Sequence, residues 1–87
     1  MMKAIDSIAP EIHEYLRSTH VTDPSFTMET DLIASNQLDS LVVMDIVCFL
    51  ESRFGIRMEP DDVNPANLQS VACLARYVAA NLRRDAA

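Results

Sequence analysis

The chain has 87 residues, 49% of them hydrophobic, with 13 acidic against 7 basic side chains and a formal charge of -6. That length holds one small domain, expected to span 1–87, around one core. The charge balance repels phosphate backbones and leaves no counterion release to drive nucleic-acid binding. The acids are scattered, as on a solvated surface, and together they suit a basic partner.

Cys48 and Cys73, 25 residues apart, lack the clustered spacing and the nearby histidine pair of a zinc site, so no metal is expected and both read as free thiols. No run of the sequence approaches the length that spans a bilayer, and the opening Met1–Asp6 lacks the apolar stretch and cleavage site of a leader. A soluble, cytoplasmic monomer with no membrane partner is the expectation.

In chain order, Ile5, Ile8, Ile12 and Leu16 recur at helical spacing, with Tyr15 beside the last, and predict an amphipathic first helix. Pro10 leaves two starts open: a helix capped by Ser7 and ending near Ser18, or a longer one from Lys3 that bends at Pro10. From His20 to Leu38 the sequence turns polar, with Asp23-Pro24-Ser25 among scattered Thr, Asp and Asn. Phe26, Met28, Leu32, Ile33 and Leu38 are spaced through it as anchors, so the segment reads as a long loop pinned to a core.

Ser40 to Phe54 predicts the second helix. Val43, Ile46, Val47, Leu50 and Phe54 form its core stripe, Leu41, Met44, Asp45, Cys48 and Ser52 lie opposite, and Val42 and Phe49 form an apolar flank. This is more apolar surface than one core stripe needs: either Leu41, Met44 and Phe49 are exposed for a partner, or the helix is buried on most sides. Gly55, the only glycine, suits the left-handed residue that closes a helix. Ile56-Arg57-Met58 alternates, and Glu59 to Val63 predicts one short helical turn with Pro60 in its first position. Asn64-Pro65-Ala66 reads as a breaker and Asn67 as the cap of a last helix with the stripe Leu68, Val71, Leu74, Ala75, Val78 and Leu82. Arg83 and Arg84 sit at its C-terminal end, where the helix dipole favours cations. Nothing predicts a strand, and the expected fold is all-α: a small right-handed bundle of three main helices plus one short one.

Catalysis finds little support. Leu38-Asp39-Ser40-Leu41 lacks the glycines of a nucleophile elbow, and one glycine cannot build a phosphate-cradling loop. His13 and His20 are the only histidines, and each reads as an exposed side chain. No catalytic residue is assigned. Asp39 and Ser40 are ordinary helix-capping residues, but they stand at the mouth of the second helix, after a long anchored loop and midway along an acidic helical chain.

That arrangement resembles the acyl carrier and peptidyl carrier protein family. The likeness runs from the first helix through Asn81 and is most specific at Leu38-Asp39-Ser40-Leu41, with Phe49-Leu50-Glu51, Phe54-Gly55-Ile56, then Pro65, Asn67, Leu68 and Tyr77-Val78. It implies a carrier and not an enzyme, with 4'-phosphopantetheine attached covalently to Ser40 by a phosphopantetheinyl transferase. The arm's thiol then holds intermediates as thioesters for partner enzymes. It implies that the second helix is the recognition helix, with Asp39, Leu41, Met44, Asp45 and Cys48 toward partners and Glu51, Asp61 or Asp62 as rim charges that steer a basic patch. Asn36-Gln37 stands where the family often has a glycine, and the second helix has only Asp45 and Glu51 as acids. The likeness therefore points away from housekeeping fatty-acid carriers. It points toward discrete carriers of specialised or secondary-metabolite pathways, loaded by an adenylating ligase with an amino acid or specialised acyl group. The reading from another class is an unmodified helical module that binds a partner through the apolar flank of the second helix.

Overall fold

A computed structural model describes residues 4–21, 25–36 and 38–86. Three long helices carry the fold: α1 (Ala4–Thr19), α2 (Ser40–Phe54) and α4 (Val71–Ala86), with a four-residue α3 (Pro65–Leu68) just before the last. A 3-10 turn at Pro60–Asp62 lies between α2 and α3, and no strand occurs among the described residues. The all-α architecture is thus as the periodicity predicts.

Pro10 lies inside α1, so the longer of the two starts is the one adopted among the described residues, and Ser7 is a helical residue instead of a cap. Lys3 lies outside the described residues. Ile8, Ile12 and Leu16 bury the inner face of α1, whereas Ile5 is exposed. α1 lies in close backbone contact with α4. The buried Ala9, Ala75 and Ala79 keep bulk out of those two helices. Val71, Leu74, Ala75 and Val78 are fully buried, so the stripe read from spacing is the core stripe of α4.

One boundary differs from expectation. Asn67 does not cap the last helix: Asn64 caps α3, its Oδ1 accepting the Asn67 N–H at 3.0 Å, with Pro65 in the first turn where a missing N–H costs nothing. The cap before α4 is Ser70, whose Oγ accepts the Cys73 N–H at 3.2 Å. Asn64-Pro65 both breaks one element and starts the next. Leu68, placed by spacing on the last helix, is buried from α3 instead. Arg83 and Arg84 fall within α4, and their side chains are outside the described set.

α2 has the predicted bounds. Gly55 closes it at φ 70, its N–H donating to the Glu51 carbonyl at 3.0 Å. Ile46 and Leu50 are fully buried, and Val43, Val47 and Phe54 pack on the core's edge. Against α1, α2 is held largely by side chains: the Tyr15 and Phe49 rings stack with centroids 4.1 Å apart, and Arg53 Nε lies 2.6 Å from Glu11 Oε1. Phe49 is therefore half-buried, and the exposed apolar surface of the helix is Leu41 and Met44.

Leu50 has no exposed surface, and truncation there leaves a void that close-packed neighbours fill only in part. Leu50→Ala is expected to lower unfolding stability by about 2–5 kcal/mol, read as a fall in the urea midpoint with little change in slope.

Candidate functional site

The approach to Ser40 is a non-helical segment that has to satisfy its backbone without a helix ladder. It does so against the α3–α4 junction: the Leu32 N–H donates to the Gln69 carbonyl at 2.7 Å, and the Ala72 N–H donates to the Met28 carbonyl at 2.9 Å. Leu32 and Phe26 are buried, Met28 and Leu38 are partly buried against the core, and Ile33 is exposed, so it is not an anchor. Asp23 and Pro24 lie outside the described residues. Asp31 organises the turn that follows. Its Oδ1 accepts the Ala34 N–H at 2.8 Å and the Ile33 N–H at 3.1 Å, while Oδ2 takes the Gln69 amide at 3.0 Å. The Ala34 bond, then the Gln69 bond, holds the Asp31 carboxyl below its ordinary range.

Asn36 then adopts φ 61. Asn is one of the few side chains that tolerate this left-handed region, so it serves in place of the glycine expected near here. Gln37 lies outside the described residues. The chain turns into α2 at Asp39, whose backbone is extended and whose Oδ1 accepts the Val42 N–H at 2.9 Å, while its carbonyl takes the Val43 N–H at 2.9 Å. Asp39 is thus the cap, and Ser40, the first helical residue, is exposed and free of the capping task.

The Ser40 hydroxyl stands at the positive end of a fifteen-residue helix. The N–H groups of Ser40 and Leu41 precede any intrahelical acceptor, so they and the dipole favour an anion bonded to that hydroxyl. With the Asp39 carboxylate engaged at Val42, these residues fit an exposed phosphodiester on Ser40.

From Ser40, Leu41 is 69% exposed and Met44 58%, and Cys48 is also exposed. Asp45 is half-buried. Its Oδ2 lies 3.2 Å from His20 Nε2, a close contact off the hydrogen-bond line that is an ion pair when His20 is protonated. Tyr15 reaches the Asp45 carbonyl at 3.4 Å, and burial, followed by the nearby Asp45 and Cys48, pushes its phenol pKa up. Glu51 is partly buried, its Oε2 accepting the Met58 N–H at 2.8 Å. Asp62 accepts the Tyr77 hydroxyl at 2.8 Å, and Asp61 is exposed.

Neither histidine is the solvent-facing side chain expected. His13 stacks on Phe26 at 4.5 Å, its Nε2 3.1 Å from the Phe26 carbonyl, and His20 lies against Asp45. Both pairings cross from α1 or its end to other elements, which helical periodicity does not report. Among the described residues no cluster of His, Cys, Asp or Glu can hold a metal, and no helix is long and apolar enough to cross a membrane.

Among the described residues, Ser40 is thus an exposed hydroxyl at the mouth of a long helix, beside a carboxylate already engaged as the cap. The family model for the phosphopantetheine attachment site matches residues 14–78, most of the chain. The chain belongs to that family, whose domains are carriers, not catalysts, hold 4'-phosphopantetheine covalently, and interact with a phosphopantetheinyl transferase and with processing enzymes. Comparison with curated proteins gives no match.

Two outcomes follow from this geometry. Asp39→Ala removes the cap and is expected to cost about 1 kcal/mol, whereas Asp39→Asn restores most of it, measured by urea unfolding. Because the folded Asp31 carboxyl titrates below its ordinary range, its contribution to stability is complete above that range and is lost as pH falls through the folded value. Asp31→Asn is expected to flatten the acid limb of the stability profile and leave its shape near neutral pH unchanged.

Proposed function

We propose that the chain is a single carrier domain in which Ser40 bears the 4'-phosphopantetheine. The observation that carries this is the division of labour at the mouth of α2: Asp39 caps the helix, so the adjacent Ser40 hydroxyl is exposed and uncommitted. The first-turn N–H groups favour the phosphate, and the exposed face beginning at Leu41 meets the enzymes that attach and use the arm. When bound, the arm supplies a thiol that holds an acyl group as a thioester. The protein's own part is to hold Ser40 outside the fold and to present an address next to it.

The scarcity of acids on α2 supports a specialised cargo, an amino acid or uncommon acyl group placed by an adenylating ligase, over bulk fatty-acid synthesis. A monomer in a reducing cytoplasm suits the two unpaired cysteines.

Incubation with coenzyme A and a broad-specificity phosphopantetheinyl transferase is expected to raise the intact mass by one phosphopantetheine. Ser40→Ala should abolish that gain while keeping the far-UV helical signal. A wild-type chain left unmodified by several such transferases, or a Ser40→Ala chain that still gains the mass, would sink the reading.

A further inference from the structure

Cys48 is an exposed, unpaired thiol on the same helix as Ser40. Their separation in sequence, at about 1.5 Å and about 100° per residue, puts them about 12 Å apart along the axis and about 80° around it. Met44 lies midway on that path and is 58% exposed, so the path runs over open surface. Ile46 and Leu50 are fully buried and hold this part of the helix, so the span is set by the fold. The arm that the family carries ends in a thiol, with roughly fourteen bonds between that sulfur and the serine Oγ; at about 3.5 Å per three extended bonds it reaches about 16 Å. Cys48 is therefore within the arm's reach with slack to spare. The other cysteine, Cys73, is half-buried on α4, with Arg76 Nη2 3.5 Å from its Sγ.

We infer that Cys48 is a redox modification site, where the thiol of the chain's own phosphopantetheine closes as an intramolecular disulfide and parks the empty arm along α2. This rests on Ser40 being the attachment point. The oxidant is a low-molecular-weight disulfide such as glutathione disulfide. The Cys48 thiolate attacks one of its sulfurs and expels a glutathione thiolate; the arm's thiolate then attacks Cys48 Sγ and expels the second glutathione. Two protein-borne thiols are oxidised, one disulfide is reduced to two glutathiones, and the two protons pass through solvent to the departing thiolates. Slack in the arm lets the C–S–S–C dihedral settle near about 90° without strain. A short flexible tether holds its ends at an effective concentration of about 1 mM, so closure within one chain outruns pairing between chains at micromolar protein. An acylated arm has no free thiol and does not close. Only the empty arm is withheld, and excess small thiol reopens it.

The test equilibrates the phosphopantetheine-bearing chain, at micromolar concentration, in mixtures of glutathione and its disulfide, and reads intact mass after an acid quench. Cys73→Ala leaves two thiols, so this chain is expected to lose two hydrogen masses, add no glutathione and stay monomeric. Half-closure is expected where the squared concentration of glutathione over that of its disulfide is about 1 mM. The wild-type chain is expected to show the same loss, with or without glutathione on Cys73. Cys48→Ser is expected to gain glutathione on its arm instead, and the wild-type chain before phosphopantetheine transfer to gain glutathione on its cysteines. A Cys73→Ala chain that ends with glutathione on both thiols, or joined to a second copy, overturns the inference. So does a Cys48→Ser chain that still closes, or a chain without the arm that closes between its two cysteines. Each of these leaves Ser40 as the attachment point, whereas a wild-type chain that takes up no phosphopantetheine overturns both.

Discussion

The fold depends on how a long non-helical stretch is made compatible with a helical core. Among the described residues between α1 and α2 there is no helical ladder, yet Val21, Phe26 and Leu32 are buried. Buried backbone polar groups must be paired, and here the partners come from the far end of the sequence: Leu32 bonds Gln69 and Met28 bonds Ala72, across the junction where α3 gives way to α4. These two bonds, with the Asp31–Gln69 pair beside them, attach the loop to the α3–α4 junction and, through Ala72, to the α4 that packs on α1. The loop is thereby part of the core's wall. Its exit into Asp39 is set by that wall, and the direction of Ser40 with it.

How far this was legible in the sequence depended on whether the signal was local. The bounds of α2 were readable because Asp-Ser at one end and the only glycine at the other are both strong local signals, and the cap and φ 70 closure are where those signals act. The α4 stripe was readable because its period is regular. The α3–α4 boundary was not, since Asn-Pro serves equally as an ending and as a cap with proline in the first turn, and Ser70 offers a second cap only a few residues on. The histidines were misread for another reason: His13 on Phe26 and His20 on Asp45 join residues whose separation carries no period. The same holds for the charges of α2. Spacing assigns Asp45 and Glu51 to faces of a helix, but it cannot reveal that His20 and the Met58 N–H lie opposite them.

The chemistry asked of such a chain is slight, and the structure is economical in supplying it. A serine attached to a phosphodiester needs exposure, a neighbouring positive field and no competing hydrogen bond. The first turn of a helix provides the field from its own unpaired N–H groups, so no lysine or arginine is required at the mouth of α2. That leaves the surface beside Ser40 free to be apolar.

The brace formed by Glu51 and the Met58 N–H joins the last turns of α2 to the non-helical segment after Gly55, where Ile56 and Met58 are buried. Together with the Tyr15–Phe49 stack and the Arg53–Glu11 pair, it fastens the middle and end of α2 to the rest of the molecule. A helix fixed in this way has little orientational freedom left to surrender on meeting an enzyme. Such rigidity lowers the entropic cost of each encounter, so even a small contact can be selective while still releasing quickly. A shuttle that must visit several enzymes in turn is served better by a stiff handle than by a sticky one.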